Sequence, residues 1–231
     1  MATYVLVHGH MHGAWCWAKV TPLLEDMGHR AVTLDLPREG AHEAVSLANF
    51  VAAAEEVVLA QEGPVVLVGH SAGGAVISEI AEHMPEKVER LVYVAAMLLP
   101  DGESMFSAFI TKSPLDPAIA VDGATAFKSD DTLIRRRFYN TSTDEDAAWA
   151  VARLCAEPIP PMTHPVRVTP ERYGRVKRAF IQTLKDNAVP VDAQRQMCEA
   201  LPCEVIEMDT DHSPFLCRPH EFAAHLDRLR A

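Results

Sequence analysis

The stretch Gly69-His70-Ser71-Ala72-Gly73 sets a serine between two glycines, each two positions away. A serine hydroxyl is a weak nucleophile and attacks an acyl carbon only where a base can take its proton. A sharp strand-to-helix turn brings it within reach of one. The apolar run Val65-Val66-Leu67-Val68 in front reads as a strand, and the amphipathic stretch 75–84 behind reads as a helix. Such a turn crowds the backbone against its neighbours, so the flanking positions must lack a Cβ. The helix would also aim its first N–H groups at the centre where negative charge develops.

A serine nucleophile needs a base, and the base needs an orienting carboxylate. In parallel sheets covered by helices, reactive groups gather beyond the carboxyl ends of the strands. That rule narrows eleven histidines quickly. His212 follows an apolar run at 203–208, and Asp186 follows one at 176–183. Ser71, Asp186 and His212 therefore stand in an order that a serine–acid–histidine triad can use. Asp209 and Asp211 are rivals for the acid. Asp211 adjoins His212, however, and neighbouring side chains diverge. Asp101, after the run 88–99, is the better fallback. The oxyanion of a tetrahedral intermediate needs two donors, and the backbone N–H groups of Ala72 and His10 are the candidates.

The spacing His8-x-His10-x-His12 invites a zinc reading, since alternate residues of a strand share a face. The run leaves its strand for a glycine-bounded loop, with no carboxylate or cysteine cluster downstream. No metal and no cofactor is expected.

Six strands must carry these groups, at 4–7, 31–36, 65–68, 88–99, 176–183 and 203–208. Between them fall helical patterns at 15–27, 46–60 with Ser46 as N-cap, 75–84, 191–200 and 219–229. Continuous apolar strands separated by amphipathic helices imply one parallel sheet covered on both faces. The rhythm fails over 100–169, where only short helical pieces stand out, at 105–110, 131–139 and 144–154. Thr143, with Asp146, reads as an N-cap. The expected division is a core of residues 1–99 and 170–231 with a small helical cap at 100–169. The cap aromatics suggest a hydrophobic substrate. Trp15, Met105, Phe109, Phe138, Trp149 and Ser213 are the expected contacts, while Phe106, Phe127 and Tyr139 are further cap candidates.

Composition bounds the partners. Of 231 residues, 48% are apolar and 23% charged, which is ordinary for a globular chain. A net charge of -11 argues against nucleic acid or an anionic membrane as partner. Arg135-Arg136-Arg137 reads as a solvated helix end rather than a phosphate site. Five scattered cysteines fit reduced thiols and a cytoplasmic location. Residues 1–3 lead directly into a strand, so no signal peptide is expected, and no apolar run approaches membrane-spanning length. A homodimer is compatible with the sequence, which leaves oligomeric state open.

Taken together the motifs resemble the α/β-hydrolase superfamily, and within it the plant methylesterase and hydroxynitrile lyase group with its bacterial esterase relatives, including pyrethroid hydrolases. The resemblance rests on Val7-His8-Gly9, Gly13-Ala14-Trp15-Cys16-Trp17, Gly28-His29, Leu34-Asp35-Leu36, Gly69-His70-Ser71-Ala72-Gly73-Gly74, Lys185-Asp186-Asn187-Ala188-Val189-Pro190, Gln194-Arg195 and Asp211-His212. It implies that Asp186, in its Asp-x-x-x-Pro segment, is the acid. Lyases of the group carry a lysine after the catalytic histidine and a threonine after the first strand. Ser213 and His10 stand there in this chain. The expectation is a serine hydrolase that cleaves carboxylic esters of small hydrophobic substrates through an acyl-enzyme. A cyanohydrin-type lyase and a ligand-sensing relative with little turnover are the alternatives.

Overall fold

The computed structural model of the chain describes residues 1–109 and 117–230. The first half runs β1 (Thr3–Val7), a 3-10 turn at Ala14–Trp17, α1 (Thr21–Asp26), β2 (Arg30–Thr33), α2 (Leu47–Leu59), β3 (Val65–His70), α3 (Gly73–His83) and β4 (Val88–Val94). The cap segment contributes α4 (Met105–Phe109), β5 (Ile119–Asp122), β6 (Thr125–Lys128), α5 (Asp131–Phe138), α6 (Asp144–Val151), β7 (Glu157–Pro158) and α7 (Pro160–Thr163). The chain then closes with β8 (Arg178–Thr183), α8 (Val191–Ala200), β9 (Glu204–Met208), α9 (Pro214–Cys217) and α10 (Pro219–Leu229).

Six strands pair in the order β2-β1-β3-β4-β8-β9, and every pairing is parallel. All six residues of β3 are buried, which is why its sequence shows no polar alternation. Alternate residues of the strands feed two cores. Val5, Val7, Leu67, Leu91 and Phe180 pack with Phe50, Val58, Ile77 and Ile80 of α2 and α3. On the other face Tyr4, Leu6, Val66, Val68 and Val92 pack with Leu24 of α1 and with Phe222 and Leu226 of α10. Ile134, Phe138, Ala147 and Ala150 of the cap segment join this second cluster. Ser46 caps α2 through a reciprocal pair of bonds with Asn49, and Thr143 caps α6 by accepting from the Asp146 N–H.

The structure corrects the sequence reading in several places. The strand expected over 88–99 ends at Val94, where Ala95 turns to φ +47, and the strand expected over 31–36 ends at Thr33. The helix expected over 15–27 is broken into the 3-10 turn and α1, with Pro22 in the first turn of α1. A proline there lacks the N–H that a continuous helix would need from it. The cap segment is also not purely helical. Strands β5, β6 and β7 form a separate three-stranded antiparallel sheet. Asp122 pairs with Thr125 across Gly123-Ala124, and Gly123 adopts φ +57, the left-handed geometry of a tight hairpin. The pieces are too short and too wet to give an apolar run. Residue 110, at the end of the first expected cap helix, lies outside the described residues.

Candidate active site

Ser71 follows the last residue of β3 in a left-handed backbone conformation, φ +51. A non-glycine residue held there carries strain of about 1–3 kcal/mol, so its surroundings must impose it. They do so through the backbone. The Ser71 N–H donates to the Val94 carbonyl at 3.1 Å, and its own carbonyl accepts from Met97 N at 2.9 Å and Gly74 N at 3.1 Å. A Cβ on Gly69 would lie 2.7 Å from the Gly73 carbonyl oxygen, and one on Gly73 would lie 2.8 Å from the carbonyls of Val7 and His8. The two glycines let β3, α3 and the end of β1 meet at this turn. Ser71, Ala72 and His10 all keep partial exposure.

Asp186 and His212 meet although 26 residues separate them. His212 Nδ1 lies 2.7 Å from Asp186 Oδ2, and both side chains are buried. Asp186 Oδ1 accepts the N–H groups of Ala188 at 2.7 Å and Val189 at 2.8 Å. Its Oδ2 accepts from Thr183 Oγ1 at 2.8 Å and Gln194 Nε2 at 3.2 Å. Gln194, wholly buried on α8, also bonds the Thr183 N–H and the Val189 carbonyl. The carboxylate is thus fully solvated by protein donors and free of rotation. On the other side, His70 Nε2 donates to the His212 carbonyl at 3.0 Å, and the two rings lie 4.6 Å apart. His70 directly precedes Ser71, so this bond ties the histidine loop to the turn that carries the serine.

The rival carboxylates are engaged elsewhere. Asp211 accepts from Thr141 N, Ser142 Oγ and Ser213 N, at 2.9, 3.0 and 2.9 Å. Asp209 is exposed and pairs with Lys185 at 2.6 Å. Asp101 accepts from Val168 N at 3.0 Å.

The three histidines after β1 have separate tasks, and among the described residues no group of three or more His, Cys, Asp or Glu is placed to hold a metal ion. His8 Nδ1 donates to the Gly9 carbonyl at 2.9 Å, and Nε2 accepts the Leu36 N–H at 3.0 Å. Burial, helped by the Arg38 charge, lowers its pKa to about 4. His12 Nδ1 donates to the His10 carbonyl at 2.9 Å, and Nε2 accepts the Tyr139 hydroxyl at 2.8 Å. Burial lowers its pKa to about 3. Both rings are neutral tautomers fixed by their partners. The His10 imidazole is likewise pushed down to about 3, by burial and then by Arg38 and Arg137. Neither the His10 N–H nor the Ala72 N–H has an acceptor among the described residues.

Of the expected substrate contacts, Phe138 stacks on His212 with centroids 5.4 Å apart, and Trp15 stacks on His12 at 5.4 Å. Trp149 meets Trp15 edge to face at 5.4 Å. Ser213 is fully buried beside His212, its Oγ without a hydrogen-bond partner among the described residues. Met105 packs into the core on the α2–α3 face. The side chain of Phe109 lies outside the described residues. Phe106 and Phe127 are exposed. Sequence reasoning missed what Gln194, Thr183, Tyr139 and Glu157 do. Gln194 left a trace, since it shares an inward stripe with Met197, Cys198 and Leu201 at helical spacing.

A parallel sheet with a strained serine turn after one strand and a buried Asp–His pair beyond two others defines an α/β-hydrolase. The alpha/beta hydrolase family matches residues 4–225, and the chain belongs to it. Among relatives, methylesterase 2 of Arabidopsis thaliana is 34% identical over 250 residues, covering 96% of this chain and 94% of that protein. A chloroplastic methylesterase-like protein of the same plant is 33% identical over 249 residues, and the chain spans 64% of its length. In structure the chain is similar to polyneuridine aldehyde esterase, with TM-score 0.90, 27% identity and 100% coverage of both chains. It is equally similar to a pyrethroid hydrolase from Sphingobium faniae JZ-2, with TM-score 0.90, 28% identity and coverage of 99% and 97%. No helix among the described residues is long and apolar enough to cross a membrane.

Proposed function

We propose that this chain hydrolyses carboxylic esters of small hydrophobic substrates through an acyl-enzyme on Ser71. The observation that carries the reading is the buried 2.7 Å contact between Asp186 and His212, tied by His70 to the turn that presents Ser71. Asp186 fixes Nδ1 of His212 as the protonated nitrogen, which leaves Nε2 as the base. His212 takes the Ser71 proton as Oγ bonds to the acyl carbon, and returns it to the departing alkoxide. Water then enters by the same route and releases the acid. The unpartnered N–H groups of His10 and Ala72 receive the oxyanion in both steps.

Methylesterases and esterases among the relatives support ester cleavage, and the aromatic walls Trp15, Phe138 and Trp149 support a hydrophobic group on the substrate. A buried serine rather than a lysine after His212 supports hydrolysis over the lyase alternative. The five cysteines are all free, which supports a reducing compartment such as the cytoplasm. Pre-steady-state hydrolysis of p-nitrophenyl butyrate tests the mechanism. The native chain should show a burst of one p-nitrophenolate per site, and Ser71→Ala should lose about 10³-fold or more in kcat. Full turnover by a folded Ser71→Ala variant would sink it.

A further inference from the structure

The residue that would present the second oxyanion donor, His10, stands between two peptide units that are both held. In a trans peptide the carbonyl and the N–H point opposite ways, so fixing one aims the other. The Gly9 carbonyl accepts from His8 Nδ1 at 2.9 Å and from His12 N at 3.2 Å, which turns the His10 N–H the other way. The next peptide is held at both ends. The His10 carbonyl accepts from His12 Nδ1 at 2.9 Å, and the Met11 N–H donates to Glu157 Oε2 at 3.3 Å.

Met11 itself needs holding. It is fully buried with φ +63, a conformation that L side chains avoid, and it is not a glycine. Its carbonyl accepts from Cys155 N at 3.0 Å, so the two groups of Met11 are taken by residues two apart in the cap segment. Glu157 is 1% exposed and reaches Met11 from β7. Its carboxylate is oriented by Arg38, whose Nε donates to the same Oε2 at 2.5 Å and whose guanidinium lies 3.5 Å from the His8 ring. A carboxylate in such depth needs a reason, because burial alone disfavours its charge.

We propose that Glu157 is a positioning residue for the oxyanion donor, a cap-borne carboxylate that fixes the strained Met11 peptide and thereby aims the His10 N–H. Arg38 holds that carboxylate in place. The inference rests on the esterase reading of Ser71.

Reach and charge can be separated at this position. Glu157→Asp keeps the charge beside Arg38 but draws the oxygen back from the Met11 N–H. Glu157→Gln keeps the reach and an acceptor oxygen but removes the charge. With p-nitrophenyl butyrate, Glu157→Asp should lose at least tenfold in kcat with KM within twofold of native. Its affinity for phenylboronic acid, whose serine adduct carries a tetrahedral anion, should fall by a similar factor. Glu157→Gln should keep most of both. Hydrogen exchange at the amide of Met11 should quicken in the Asp variant and stay near native in the Gln variant. The proposal is overturned if Glu157→Asp keeps native kcat and boronate affinity, or if its loss falls on KM alone. It is equally overturned if Met11 exchange is unchanged. Should the native chain neither turn over the ester nor react at Ser71 with a fluorophosphonate, the esterase reading fails, while the exchange at Met11 still decides whether Glu157 holds the loop.

Discussion

Two buried carboxylates, one bonded to His212 and one next to it in sequence, do different work. Asp186 is bonded to the ring, whereas Asp211, one residue away in sequence, faces the cap turn at 141–142. Asp186→Asn would leave the Ala188 and Val189 donors in place but present an amide to Nδ1. The wrong tautomer would follow, and kcat should fall about 10⁴-fold with the fold intact. Asp211→Asn should show the opposite balance, with kcat within tenfold of native and about 1–3 kcal/mol lost in urea unfolding, because charged acceptors of backbone N–H groups are replaced. If the two effects were exchanged, the acid role would belong to Asp211. The pairing of His212 with Asp186 and not with Asp211 was legible in the sequence, since a side chain cannot fold back onto its neighbour. The support beneath Asp186 was less so. A glutamine in the apolar stripe of α8 reads as a defect until Thr183, Val189 and Asp186 are seen around it. Glu157 left no local trace, for its partners stand 119 and 146 positions away.

At the scale of elements, the legible parts were those with a continuous pattern. The six core strands and helices α2, α3, α8 and α10 follow from apolar runs and 3.6-residue spacing. The hairpin of β5 and β6 did not, because four-residue strands with an exposed end carry too little periodicity to separate from loop. The same applies to the turn 138–142, which is read as a helix end and is in fact a clamp. Its Tyr139 hydroxyl bonds His12 Nε2, its Thr141 and Ser142 bond Asp211, and its Phe138 covers His212. One short segment therefore joins the loop after β1 to the loop that carries His212. Tyr139→Phe removes a single oxygen and leaves a buried ring nitrogen without its donor. Such a loss costs about 1–3 kcal/mol. For a chain of this size that corresponds to a fall in Tm of roughly 2–12 °C by calorimetry. A variant that melts with the native chain would show that the turn is held by packing alone.

For the whole molecule, the buried histidines make stability a function of pH. Burial depresses His8, His10, His12 and His70, to about 4, to about 3, to about 3 and well below the usual value. In the unfolded chain each would titrate near 6.5, so between that value and the folded one the unfolded state binds more protons. Their contribution is complete above pH 6.5 and is lost as the pH falls, at about 1.4 kcal/mol per unit for each ring. Glu157 acts in the opposite sense. Burial, against the pull of Arg38, raises it to about 7, so below that pH the folded state takes up a proton that the unfolded state binds only near 4.5. It returns about 2 kcal/mol by pH 5.5, roughly half of what His8, His10 and His12 together lose there, and His70 adds to the loss. The net loss is at least about 2 kcal/mol at pH 5.5 and at least about 4 kcal/mol at pH 5. Melting curves from pH 8 downward should therefore be flat to about pH 6.5 and then drop steeply, by roughly 4–8 °C or more at pH 5.5. In His12→Asn the drop should be shallower by about one histidine's share, since one suppressed titration has been removed. A native Tm that stays level to pH 5 would mean that these rings take up protons in place, and that their hydrogen bonds do not hold the loops as described.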